Sequence, residues 1–152
     1  MRGELSAVDA EVDGAACRGR VISVVLADDH PGVRRTLRLL LERELDLLVV
    51  GEADSFDAAV GLVGAHRPAV LVLDLRMPDG STVQRIERLR AASPPTEIVM
   101  TTMHENAMFA DAVLRAGAVG YVLKDRADLE LCDAVRSAAH GEQYRSPRLT
   151  GR

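Results

Sequence analysis

Five stretches of this sequence are apolar almost without a break: 21–27 (VISVVLA), 47–53 (LLVVGEA), 70–74 (VLVLD), 97–102 (EIVMTT) and 120–124 (GYVLK). A strand with one wet face alternates apolar and polar residues. A continuous apolar run of this length fits a strand covered on both faces, as in a parallel sheet. Between the runs the pattern changes to a helical period. Pro31 sets a helix start, and Val33, Leu37, Leu40 and Leu41 make its stripe. Ser55 is a cap for a helix through Ala58, Ala59, Leu62 and Val63, stopped by Pro68. Ser81 or Thr82 caps the next helix, which Pro94-Pro95 breaks. The spacing predicts helices over 107–116, closed by Gly117, and over 128–139, closed by Gly141. Strict alternation of strand and helix predicts an α/β fold: a doubly wound, five-stranded parallel sheet inside a three-layer sandwich.

The chain's 152 residues suit one such domain. Residues 1–20 have no periodicity and read as a flexible leader; 21–141 form the domain; 142–152 (GEQYRSPRLTGR less its first glycine) read as the start of a linker to a further domain. No apolar run approaches the roughly 20 residues that span a bilayer, and no signal-peptide core is present, so a cytoplasmic protein without a membrane partner is expected. Net charge −4 and the absence of tryptophan argue against this chain itself binding nucleic acid. Cys17 and Cys132 lack metal-ligand or redox spacing and read as free thiols in a reducing compartment.

Ligands of open parallel sheets bind beyond the carboxyl ends of the strands. Those ends carry Asp28-Asp29, Asp74, Thr101-Thr102 and Lys124. Any one of them has an ordinary reading: aspartates form turns, threonines favour strands and a lysine is usually solvated. Together they are harder to explain that way. Two carboxylates about 4 Å apart repel by roughly 4 kcal/mol at an effective dielectric of 20, so cations are required. Lys124 is one, and it is the single lysine among 19 Lys and Arg residues. A point charge rather than a planar fork is kept there. A hard divalent ion, Mg²⁺, on Asp28 or Asp29 with Asp74 would supply the rest. Asp74 can then act as a carboxylate nucleophile towards an activated phosphoryl group, with Lys124 and the Thr102 hydroxyl on the remaining oxygens.

Asp28-Asp29, the DLRMPDG segment around Asp74, Thr102 and AGAVGYVLKD resemble the receiver domain of two-component response regulators over about 21–141. DDHPGVRRTLRLLL, RAGAVGYVLKD and GEQYRSP look more narrowly like the NarL/LuxR type. The resemblance implies a (βα)5 flavodoxin-like fold, phosphorylation of Asp74 by a sensor histidine kinase, and Mg²⁺ on Asp28, Asp29, Asp74 and the Arg76 backbone carbonyl. It implies a switch pair in Thr102 and Tyr121, with Tyr121 turning inward on phosphorylation. Thr102 is preferred to Thr101 by its spacing of 22 before Lys124. Arg76 and His104, two residues after Asp74 and Thr102, would flank the phosphoryl group and tune its lifetime. A changed face made by the fourth helix, fifth strand and fifth helix would drive homodimerisation; on the fifth helix Asp133 and Arg136 read either as charges that cross-pair in the dimer or as a merely solvated face. DNA would be bound only through a C-terminal helix-turn-helix domain in a probable transcription regulator. No enzyme activity beyond self-phosphotransfer and autodephosphorylation is implied.

Three other readings stand beside it. Haloacid-dehalogenase-type phosphatases also use a strand-end Asp with Mg²⁺, but need a second Asp where this chain has Arg76. An atypical receiver would keep the fold and act as a phosphorylation-independent interaction module. Labelling by a small phosphodonor separates that reading from the first. A flavin-binding module is disfavoured because Asp28-Asp29 would repel a phosphate.

Overall fold

The apolar runs become the strands of one sheet. The structure, a computed structural model, describes residues 20–76 and 82–150. The leader up to residue 19 with Cys17, the Met77-Pro78-Asp79-Gly80 turn and the Ser81 cap lie outside the described residues. In chain order the elements are β1 (Ile22–Ala27), α1 (Pro31–Glu42), β2 (Leu47–Ala53), α2 (Phe56–His66), β3 (Val70–Asp74) and α3 (Thr82–Ala92). Then follow β4 (Glu97–Thr102), α4 (Ala107–Ala116), β5 (Gly120–Leu123), a 3₁₀ turn (Lys124–Arg126), α5 (Ala127–Ala139), β6 (Tyr144–Arg145) and α6 (Pro147–Thr150).

All strand pairs are parallel, in the order β2-β1-β3-β4-β5-β6. The chain moves from β1 to one neighbour, β2, and then crosses to β3 on the other side. That reversal opens a crevice beyond the ends of β1 and β3. Helices cover both faces. Leu37 and Leu41 of α1 and Leu131 and Val135 of α5 pack with Val24 and Leu26 of the sheet. On the opposite face Phe56 of α2, Ile86 of α3 and Val113 of α4 pack with Leu71 and Met100. Each central strand therefore sends alternate apolar residues into two cores, which is why its run is unbroken.

Local signals act as their chemistry requires. The Ser55 hydroxyl accepts from the Ala58 N–H and the Asn106 side chain from the Phe109 N–H, each satisfying an orphan donor of a first turn. Gly117 ends α4 at φ 125°, open only to a residue without Cβ. Gly120 is small for a different reason. It pairs with Val99, and a Cβ there would stand 3.0 Å from a Val99 methyl. Gly120→Ala should therefore lower unfolding stability by about 1–3 kcal/mol, the cost of overpacking a rigid β-branched neighbour. A denaturant melt reads this, and an unchanged midpoint would mean that the β4–β5 ladder yields.

The structure departs from the sequence reading in four places. Burial on both faces fails at β2, an edge strand, where Leu48 is 53% exposed. The sheet has six strands rather than five. The segment read as the start of a linker adds β6, with the Tyr144 N–H donating to the Val119 carbonyl and the Ser146 N–H to that of Tyr121. Lys124 opens the 3₁₀ turn instead of ending β5, and α5 begins at Ala127. Arg136 is not free to cross-pair: it holds Asp46 through two nitrogens at 2.8 and 2.9 Å, and Glu44 at 2.6 Å. This guanidinium keeps the Asp46 carboxyl below the usual carboxylate range. Among the described residues, no helix is long and apolar enough to cross a membrane.

Candidate functional site

β1 and β3 are adjacent and in register, Ala27 opposite Leu73, so the next residues, Asp28 just past β1 and Asp74 at the last position of β3, stand side by side. Asp28 shares the α1/α5 side of the sheet with Val24 and Leu26, and Asp74 shares it with Val72, two residues earlier. Lys124 follows Val122 on the same side. Alternation thus aims two carboxylates and one ammonium at a common point. Asp28, Asp29 and Asp74 each bring a carboxylate oxygen within 4.8 Å of the others.

The contacts are specific. Lys124 Nζ lies 2.7 Å from Asp28 Oδ2 and 3.1 Å from Asp74 Oδ1. Asp28 and Asp74 are 0% and 3% exposed, and the Lys124 side chain is nearly as buried at 8%. Asp28 Oδ1 accepts the His30 N–H at 2.8 Å, and the Arg34 guanidinium holds the Asp28 carbonyl at 2.8 Å. Asp28 is therefore fixed on both oxygens. Asp74 is fixed on one: Oδ1 accepts the Arg76 N–H at 3.0 Å, while among the described residues no donor reaches Oδ2. Asp29 is exposed. The three carboxylates outnumber the one ammonium by two charges, a deficit that a divalent cation matches. All the offered atoms are hard oxygens, the donor set of Mg²⁺ rather than of a thiophilic metal.

A cleft of about 420 Å³ opens over this cluster, lined by Asp29, Asp74, Lys124, Arg76 and Met103 among others. Arg76 and His104 are both exposed, yet Arg76 Nη1 lies 3.3 Å from His104 Nε2, bridging the mouth. Behind them the His104 N–H donates to Thr102 Oγ1 at 3.1 Å. Thr101 turns the other way, its hydroxyl 3.4 Å from the Leu73 carbonyl. Thr102 lies on the face of Met100, which pairs with Tyr121 across the β4–β5 ladder. Thr102 thus meets the His104 N–H on one side and stands near Tyr121 on the other, whereas Thr101 pairs with Asp74 across the β3–β4 ladder. The Tyr121 ring does not start outside: it is 0% exposed and already turned in. Burial pushes its phenol up in pKa against a smaller pull from the nearby Thr102 hydroxyl, which stands outside hydrogen-bond geometry with Tyr121 Oη. What sequence reasoning missed is the hold on these groups from outside the rim, by Arg34 and by the segment from Tyr144 to Ser146. GEQYRSP was the available signal, but it reads in sequence as a family likeness and the start of a linker.

The sequence matches the response regulator receiver domain family over residues 24–136. The chain belongs to this family. It is 36% identical over 130 residues to the oxygen regulatory protein NreC of Staphylococcus carnosus, covering 85% of this chain and 60% of NreC. The signal receiver domain of NarL from Mycobacterium tuberculosis superposes with a TM-score of 0.75 at 35% identity, covering 81% of this chain and 99% of that one. A LuxR-family response regulator from Aurantimonas sp. SI85-9A1 gives 0.81 at 32%, covering 86% and 94%. Within the family it is thus of the NarL/LuxR type. The chain spans 56% and 60% of the length of the first two curated relatives it matches.

Proposed function

We propose that this domain is a phosphorylation switch whose phosphoacceptor is Asp74. The observation that carries this is the asymmetry of the Asp74 carboxylate: Oδ1 is held by the Arg76 N–H and Lys124, and among the described residues no hydrogen bond engages Oδ2. In the proposed step Oδ2 attacks the phosphorus of a phosphohistidine on a sensor histidine kinase. The new O–P bond forms as the P–N bond breaks, and the departing imidazole, protonated on its other ring nitrogen, takes the bonding pair and leaves neutral. Lys124 Nζ and the Thr102 hydroxyl then bind phosphoryl oxygens. Asp28, Asp29, Asp74 and the Arg76 carbonyl would hold Mg²⁺, which when bound neutralises charge on the phosphoryl oxygens. Arg76 and His104, joined across the mouth, control how water reaches the acyl phosphate and so its lifetime.

The switch follows from the same contacts. A phosphoryl group adds charge and acceptor oxygens beside the rim. Thr102 turns to donate to it and gives up the His104 N–H, so the loop into α4 shifts over Tyr121. The α4–β5–α5 face is the proposed homodimer surface, and DNA binding and transcriptional control belong to a C-terminal domain, in a cytoplasmic protein.

The test is Mg²⁺-dependent labelling by acetyl phosphate. The wild-type chain should take up label with Mg²⁺ and none with a chelator. Asp29→Ala should weaken Mg²⁺ binding by at least about tenfold, the loss typical even of a metal site's outer-shell partners. Label that ignores the chelator, or unchanged Mg²⁺ affinity in Asp29→Ala, would remove the metal from this position.

A further inference from the structure

The segment after α5 touches each of the three elements of the proposed switch face, α4, β5 and α5. Arg145 Nη1 binds Asp111 of α4 at 2.8 Å, and Nη2 binds the Ala107 carbonyl at the start of that helix at 3.2 Å. The Ser146 N–H donates to the Tyr121 carbonyl at 3.0 Å. Ser146 Oγ accepts the Leu123 N–H at 3.0 Å, one residue before Lys124, and donates to the buried Glu130 carboxylate of α5 at 2.5 Å. Ser146 is itself 0% exposed and Leu149 6%. This is a docked strap, not a loose tail.

Its fit carries a flaw. Two buried side-chain polar atoms have no hydrogen-bond partner among the described residues: Tyr121 Oη and Arg145 Nε. Both lie where strap, β5 and α4 meet, and Arg145 is near enough to bias the Tyr121 phenol electrostatically. Orphaned donors inside a protein are rare and mark a place held in a less than optimal arrangement.

We propose that the strap from Tyr144 to Leu149 is a brake on the switch, docked in the unphosphorylated domain and released when Asp74 carries its phosphoryl group. This rests on the phosphoacceptor reading above. Movement of Thr102 shifts the loop into α4, and α4 carries both anchors of Arg145. Losing them frees Arg145 Nε and Tyr121 Oη to find partners. Coupling of two equilibria is reciprocal. If phosphorylation loosens the strap, loosening the strap must tighten binding of a phosphoryl mimic by the same factor.

The test uses the whole chain with beryllium fluoride and Mg²⁺, read by calorimetry and amide hydrogen exchange. In the wild type the mimic should speed exchange of the Tyr144 and Ser146 amides. Arg145→Ala should bind the mimic about fivefold or more tightly, the lower range of typical coupling factors. Asp111→Asn, which removes an anchor from the α4 side, should shift affinity in the same direction. It also guards against a folding defect in the arginine variant. Wild-type protein that binds the mimic with unchanged exchange at 144 and 146, and unchanged affinity in both variants, would overturn the brake while leaving the phosphoacceptor reading intact. Failure to bind the mimic at all, with no acetyl phosphate label, would overturn both.

Discussion

Asp74→Asn is expected to reduce phosphodonor labelling to background while leaving the fold as stable as before, or more so. Asparagine keeps the shape and can still accept the Arg76 N–H, but it offers no anionic oxygen to attack phosphorus. The loss should therefore be complete rather than partial. Stability should move the other way. Asp28, Asp29 and Asp74 crowd within 4.8 Å around one ammonium, and pairs of carboxylates so placed repel by up to roughly 4 kcal/mol. Removing one charge relieves part of that repulsion. Labelling with radioactive acetyl phosphate, beside a urea melt in chelator, reads both effects. Label retained at the wild-type rate would reject Asp74 as the acceptor, and label lost together with a lower midpoint would point to misfolding instead.

Lys124→Met has the second largest expected effect, on stability. The ammonium is nearly buried and bridges two buried carboxylates. Methionine fills much the same volume, so little packing is lost, but Asp28 and Asp74 are left as uncompensated charges. Breaking a buried pair by removing one partner typically costs about 3–5 kcal/mol. Mg²⁺ should repair part of this, because a ligand that binds only the folded state stabilises it by mass action, about 2.7 kcal/mol at a hundredfold excess over its dissociation constant. The variant should gain more from Mg²⁺ than the wild type does. Urea melts with and without Mg²⁺ measure the difference. Equal midpoints for variant and wild type in chelator would mean that the carboxylates are neutralised by something other than Lys124.

The two faces of the central strands were legible in the sequence because each sends residues into two different cores. VLVLD has no polar position until its last, and that last residue is the one that leaves the sheet at the crevice. The same logic misjudged β2: LLVVGEA is as apolar as the others, yet its place at the sheet edge leaves Leu48 bare. Neighbourhood in the sheet is decided by the crossover, and composition does not encode it. The acidic cluster and Lys124 were legible because strand ends are brought together by topology alone. The Arg76–His104 bridge was not, since it joins two loops whose separation depends on side-chain reach. Nor was the strap. YRSP is polar and short, with none of the periodicity of an element. It is held in the structure by the Val119 and Tyr121 carbonyls and by a hydroxyl that meets a buried glutamate. Arg136 shows the converse. It read as a free surface charge, and it is occupied within the chain by Asp46 and Glu44, which lie in the turn before β2, far away in sequence.

The most direct measurement is the position of the phosphoryl group itself. Wild-type protein is incubated with acetyl phosphate and Mg²⁺, weighed intact, digested and mapped by mass spectrometry. A single phosphoryl group on the peptide carrying Asp74, absent when Mg²⁺ is chelated, is the predicted result. An unmodified chain, or a phosphoryl group on any other residue, would contradict the assignment of this acidic cluster as a phosphoacceptor site.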